Sequence, residues 1–147
     1  MKIRNIPPAY FFTGIIAVAV ICFLLPQYEI IVFPYNLSGV LLILIGGFLN
    51  MNAEKLMKKY DTPHKFEKST RVVQEGVFKF SRNPMYLGMT LILLGLAAMS
   101  QNIVTFVSPV AFFVLMNRIF IPYEEKKIHD ELGEEFLRYK KKVRRWI

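Results

Sequence analysis

Arg82, Asn83, Pro84 and Tyr86 fall within five residues, where a polar stretch gives way to an apolar run, and the Glu124-Glu125 pair follows the last apolar run of the chain. An arginine presents a planar, permanently charged fork suited to carboxylate or phosphate. An ionised carboxylate is purely an acceptor, so Glu124 and Glu125 call for a cation such as Arg82 or Arg118, or for a ligand carrying hydroxyls or positive charge. Asn83 and Pro84 spell a helix start, whose free N–H groups favour an anion. Blander roles fit the same residues: Arg82 snorkelling to lipid phosphate, Tyr86 and Phe78 anchoring among headgroups, and a solvated Glu-Glu at a helix start.

The elements that position these residues are membrane helices. The chain has 147 residues, of which 54% are hydrophobic, and the apolar ones fall in long blocks, a pattern foreign to a soluble domain this small. Four blocks approach or reach the length needed to cross a hydrocarbon core of roughly 30 Å. They are Ala9 to Leu25, Leu37 to Met51, Met85 to Met99 and Ile103 to Ile121. The second and third are short and recruit flanking residues or a thinned bilayer. The expected fold is an all-α, polytopic membrane protein with about four transmembrane helices and a C-terminal amphipathic helix, forming one domain over residues 1–147. Within it, 1–60 form an N-terminal helical hairpin, and 61–147 carry a second hairpin and the surface helix.

Charge sets the expected topology. All 19 Lys and Arg lie at Lys2 and Arg4, between Lys55 and Arg82, or between Arg118 and Arg145; the two other loops, Pro26 to Asn36 and Ser100 to Asn102, hold Glu29 as their one charge. By the positive-inside rule both termini and the long middle loop face the cytoplasm. The net charge of +8 follows from this topology and from attraction to anionic lipid heads; nucleic-acid binding would need a folded basic face outside the membrane. The first apolar run lacks a small-x-small cleavage pattern and reads as a helix rather than a signal peptide. Cys22, the single cysteine, reads as a packing residue and excludes an intrachain disulfide.

Local signals refine this layout. The second helix runs on to Tyr60 and stops at Asp61-Thr62-Pro63, and His64 to Glu75 read as an irregular loop. Pro109 predicts a kink in the fourth helix and Pro122 its break. Beyond it, Ile128, Leu132, Phe136, Tyr139 and Val143 recur at helical spacing beside Lys140 to Lys142, Arg144 and Arg145, which makes an amphipathic surface helix, bent at Gly133. That helix either lies on the membrane, ending in the interfacial Trp146, or folds back over Arg82 and Glu124. The first two helices are expected to line a lateral entrance from the bilayer, with Gly46 on its path. No metal-ligand spacing is made by His64, His129 and the carboxylates, and no Ser/His/Asp set, P-loop or Gly-rich nucleotide turn is present.

The ordered set Thr70-x-Val72-Val73-x-x-Gly76-x-Phe78-x-x-x-Arg82-Asn83-Pro84-x-Tyr86-x-Gly88, then Glu124-Glu125, then Leu132-Gly133-Glu134-Glu135-Phe136-x-x-Tyr139, resembles the isoprenylcysteine carboxyl methyltransferase and phospholipid methyltransferase superfamily of integral membrane methyltransferases. The resemblance covers about Asp61 to Trp146. It implies an enzyme that binds S-adenosylmethionine on the cytosolic side and methylates a lipidic or amphiphilic acceptor: a prenylcysteine-like carboxylate, a phospholipid amine or a small thiol. The implied cofactor-binding residues are Thr70, Arg71, Val72, Val73, Gly76, Phe78, Asn83, Pro84, Met85, Tyr86 and Glu124. Arg82, Asn83, Tyr86, Arg118 and Glu125 are implied in catalysis, Arg118 as the arginine near the end of the last span that related enzymes associate with the acceptor. The implied partners are membrane lipids and the acceptor, with no nucleic acid and no metal.

Residue 83 departs from the family pattern, being Asn where His is frequent. Asn is not a base. An amine acceptor would then lose its proton to another group such as Glu125, Tyr86 or His129, whereas a carboxylate or thiolate arrives nucleophilic. In an orienting role Asn83 keeps a hydrogen-bond donor and caps the helix. Two other classes remain: a non-catalytic membrane scaffold or lipid-binding protein, and a nicotinamide-dependent membrane reductase, which needs many more helices and a site for cofactor phosphates.

Overall fold

Inside a bilayer the backbone has no water to bond, so apolar runs close their own hydrogen bonds as helices. The computed structural model describes residues 6–28, 31, 33–60 and 72–147; Lys2, Arg4, Glu29, His64, Thr70 and Arg71 lie outside the described residues. The helices are α1 (Ile6–Leu24), α2 (Ser38–Lys59), α3 (Pro84–Met99), α4 (Val107–Leu115), α5 (Ile121–Leu132) and α6 (Glu134–Lys142). No strand occurs among the described residues, so the protein is all-α. Three helical runs, Pro7–Leu24, Tyr35–Lys59 and Ile103–Leu132, are long and apolar enough to cross a membrane, and Pro84–Met99 is a shorter apolar helix. Large side chains such as Phe12, Ile16, Leu41, Leu44 and Phe48 stay exposed on α1 and α2, as a lipid-facing surface requires.

The second helix extends past its apolar block to Lys59. Lys58 and Lys59 in its last turn suit the negative end of the helix dipole. α2 and α3 pack antiparallel through facing glycines, Gly39 against Gly95 and Gly46 against Gly88. Removing the side chains lets the backbones approach closely, the usual means of holding helices together where lipid is as apolar as protein. A Cβ on Gly46 would stand 2.5 Å from the Gly88 carbonyl oxygen and 2.8 Å from Ile92 Cγ1. Gly46 therefore belongs to a helix seam and not to an open entrance. Gly46→Leu is expected to lower stability in detergent by at least about 2 kcal/mol through overpacking. The neighbouring Gly47, with nothing within 4 Å of an added Cβ, supplies the control. Equal melting temperatures for Gly46→Leu and Gly47→Leu would refute this account of the seam.

The core beside that seam is Leu93 of α3 with Phe112, Met116, Phe120 and Ile121, against which Phe11 and Ile15 of α1 pack. Ser108 Oγ donates to Gly14 O at 2.9 Å, tying α1 to α4. At the far end, buried Asn102 stitches together the turns that follow α1 and α3, donating through Nδ2 to Leu25 O at 2.6 Å and accepting from Val104 N at 2.9 Å.

The expected kink at Pro109 and break at Pro122 take other forms. Pro109 lies in the first turn of α4, where its missing N–H would have no helical partner. At Pro122 the helix carries straight on: a wide π-turn, Met116–Phe120, joins α4 to α5. Proline leaves the carbonyl four residues back without its N–H, and a turn with longer-range bonding absorbs that defect. The surface helix is two helices, because Gly133 at φ +49° ends α5 in a conformation that costs glycine little. α6 then folds back with Phe136 and Tyr139 buried, so its apolar face meets protein.

Candidate active site at the start of the third helix

Gly76 begins the approach to α3 at φ +54°, with Leu56 of α2 so close that a Cβ would meet its Cδ1 at 2.8 Å. The short 3₁₀ turn Gly76–Lys79 follows. Val73 is buried, and Val72 N donates to Glu135 Oε1 at 3.2 Å. Tyr139 Oη donates to Phe78 O at 2.7 Å; burial pushes that phenol above its ordinary pKa and keeps its proton in place for the bond. Residues 72–78, expected to face a cofactor, are thus pinned to α6. Thr70 and Arg71 lie outside the described residues.

Asn83 and Pro84 stand where a helix start was expected, with Pro84 buried at the first position of α3. The Asn83 side chain does not cap the helix. Its Nδ2 donates instead to Arg145 O at 3.1 Å, and the Asn83 N–H bonds Ser81 Oγ at 3.1 Å. This leaves the first-turn N–H groups of α3, at Met85 and Tyr86, without intrahelical acceptors. Tyr86 Oη donates to Glu124 Oε1 at 2.6 Å, a short hydrogen bond. Residues 38 positions apart are joined directly.

Glu125 points into a different set of partners. Its Oε1 accepts from Arg82 Nη2 at 2.8 Å and Arg145 Nε at 3.3 Å. Its Oε2 accepts from Arg145 Nη2 at 3.1 Å and faces Lys140 Nζ at 3.3 Å. About four lone-pair positions are available on a carboxylate; three take hydrogen bonds and the Lys140 ammonium stands beside the remainder. The inner pair is nearly dry, with side-chain exposures of 9% for Arg82 and 8% for Glu125. Arg82 also donates through Nη1 to Lys140 O at 3.0 Å and Val143 O at 2.8 Å. Its Nε is buried without a partner. Burial and opposing charge make the two side chains each other's counter-ion, so neither stands open to a ligand without a rearrangement.

Arg118 is exposed and has no ion pair among the described residues, so it is not drawn into this cluster. Sequence reasoning passed over Asn117, Ser81, Lys140 and Arg145. Asn117 Oδ1 accepts from Arg145 Nη1 at 3.3 Å and Trp146 Nε1 at 3.1 Å. An amide inside an otherwise apolar span is costly unless it is bonded, and that was the available signal. Beside the cluster a cleft of about 400 Å³ is lined by Pro122, Glu125, Lys126, His129, Phe136, Leu137, Lys140 and Arg145. No group of three or more metal-ligating side chains is found among the described residues.

The sequence pattern of the phospholipid methyltransferase family matches residues 35–134, from the start of α2 to the start of α6. The chain is 36% identical over 63 residues to an uncharacterized protein of Haemophilus influenzae, covering 43% of this chain and 100% of that protein. It is 32% identical over 80 residues to protein-S-isoprenylcysteine O-methyltransferase B of Arabidopsis thaliana, covering 52% of this chain and 39% of the plant protein. No solved structure matches the chain.

Proposed function

As the chain belongs to the phospholipid methyltransferase family, we propose that it is an S-adenosylmethionine-dependent membrane methyltransferase, working at the cytosolic membrane face on a lipidic or amphiphilic acceptor. The observation that carries this reading is the Tyr86–Glu124 hydrogen bond, which sets a carboxylate beside the open N-terminus of α3. The residues present fit the cofactor. Glu124 receives one hydrogen bond among the described residues and is placed to accept from ribose hydroxyls and the amino group. The free N–H groups of Met85 and Tyr86 suit the cofactor's carboxylate. When bound, the cofactor supplies a methyl group on a sulfonium centre; the chain's part is alignment and exclusion of water.

Deprotonation limits the acceptor. Glu125 is taken up by Arg82, Arg145 and Lys140, Tyr86 holds its proton toward Glu124, Asn83 is no base, and His129 lines the cleft beside Glu125, whose lining does not include Tyr86 or Glu124. The cluster therefore favours an acceptor that arrives as an anion, a prenylcysteine-like carboxylate or a small thiolate, over a phospholipid amine. Asn83 keeps the orienting role through its bond to Arg145 O. Both termini on the cytosolic side, as the lysines and arginines predict, put this cluster where the cofactor is available.

Calorimetry on the detergent-purified protein is the test, with S-adenosylmethionine and its demethylated product as ligands. The expected result is micromolar-range binding of both, followed by transfer of labelled methyl to a prenylcysteine analogue or a small thiol in preference to phosphatidylethanolamine. Absence of binding by a well-folded sample would overturn the methyltransferase reading; preferential labelling of phosphatidylethanolamine would overturn the acceptor assignment.

A further inference from the structure

The last residues of the chain, Val143 to Ile147, follow α6 without regular structure and lie beyond the residues that carry the family match, 35–134. Lys, Arg and Trp at a membrane protein's end ordinarily read as an interfacial anchor. Here the segment runs inward. Three successive carbonyls of the strap accept from the stretch that leads into α3: Val143 O from Arg82 Nη1 at 2.8 Å, Arg144 O from Arg82 N at 3.0 Å, and Arg145 O from Asn83 Nδ2 at 3.1 Å. Ser81 Oγ adds a longer bond to Arg145 O at 3.4 Å. The strap thus holds residues 81–83 through one backbone bond, from Arg82 N, and through their side chains.

The side chains of the strap fasten it at the other end. Arg145 spends Nε and Nη2 on the two oxygens of Glu125 and Nη1 on Asn117 Oδ1. Trp146 gives its indole N–H to the same Asn117 oxygen, and its ring lies 4.6 Å, centroid to centroid, from Phe113 of α4. Asn117 belongs to the π-turn Met116–Phe120, a helix irregularity often associated with functional positions. A single amide oxygen in the membrane helix thus takes one donor from each of two neighbouring strap residues.

We infer that Asn117 and Arg145 are positioning residues: through them the C-terminal strap is latched onto the π-turn, and the latched strap holds Arg82, Asn83 and Glu125 in place, and with them the start of α3, where the cofactor binds. The inference rests on the methyltransferase reading for what is bound, and on the observed bonds alone for the latch. Neither residue touches the cofactor. Their effect passes through the backbone of the strap and through the Glu125 carboxylate.

The chain contains one tryptophan, so the emission of Trp146 reports the latch without cofactor or acceptor. Asn117→Leu removes the shared acceptor while placing a side chain that membrane helices accept readily, which protects the variant from a failure to insert. Asn117→Asp keeps an acceptor oxygen and serves as the conservative rescue. In full-length protein in detergent, Asn117→Leu and Arg145→Ala are each expected to red-shift Trp146 emission, raise its quenching by acrylamide at least twofold, and weaken S-adenosylmethionine binding about tenfold. Asn117→Asp is expected to restore both readouts to within about threefold of wild type. Emission, quenching and affinity of Asn117→Leu within twofold of wild type would overturn the inference, as would tightly latched Trp146 together with weakened binding. Failure of the wild type to bind the cofactor would sink the methyltransferase reading instead, and the emission data would still decide whether the latch exists.

Discussion

Glu124→Ala is expected to weaken S-adenosylmethionine binding at least about 30-fold while leaving the protein folded. The carboxylate is half-buried at the start of α5, and among the described residues its one hydrogen bond comes from Tyr86. Truncating one side of a desolvated charge-assisted contact costs about 2–5 kcal/mol of binding, and each 1.4 kcal/mol is tenfold. The fold loses only a single hydrogen bond, about 1 kcal/mol. Tyr86→Phe, which keeps the ring and frees the carboxylate to turn, is expected to cost about tenfold in affinity, near 1.4 kcal/mol. Calorimetry and thermal melting on the same preparations check both halves. An Ala variant that bound the cofactor with wild-type affinity would remove Glu124 from the site.

The adjacent carboxylate is expected to behave in the opposite way. Glu125→Ala leaves Arg82, Lys140 and Arg145 converging on an empty position, and Arg82 is too buried, at 9% side-chain exposure, for water to take over. Removing one partner of a buried ion pair destabilises by about 3–5 kcal/mol, chiefly because the other charge stays behind. Lys140, 45% exposed, contributes little to that penalty, as solvent screens it. The variant is expected to melt well below wild type, with the strap released and Trp146 emission red-shifted even without cofactor. Glu125→Gln, which retains an acceptor oxygen for Arg82, should fall between the two. A Glu125→Ala protein with an unchanged melting temperature would show that the cluster is not a fastening, and would reopen Glu125 as a ligand contact.

Two neighbouring glutamates with separate tasks could not be told apart in the sequence. Helical spacing turns consecutive side chains by about 100°, so Glu124 and Glu125 diverge in direction, but which neighbour lies on each side depends on where α3 and the strap sit. The same limit applies to Asn117 and Arg118. Arg118 carried the expectation because its charge stands out near the end of an apolar run; the π-turn leaves it exposed and sets Asn117 among the strap's donors. Pro122 signalled a break, and the wide turn before it lets the helix continue. Arg144, Arg145 and Trp146 fit an interfacial anchor by composition, since no local pattern marks a segment whose partners lie some 60 residues earlier in the chain, as the bond between Asn83 and Arg145 does.

What the sequence determined by itself was governed by short-range or one-dimensional rules. Apolar block lengths gave the membrane helices, because the bilayer imposes a span. Asn83-Pro84 gave the start of α3, and Gly133 the bend, because φ restrictions act on single residues. The order of Gly76, Arg82 to Tyr86 and Glu124-Glu125 pointed to the family. The tertiary structure alone decided which polar groups meet: Tyr86 with Glu124, Arg82 with Glu125, Asn117 with Arg145 and Trp146. Buried polar groups take whichever partner folding brings within hydrogen-bond reach, and that partner is fixed by how helices pack and where the chain turns back, information spread over the whole molecule rather than held at any one position.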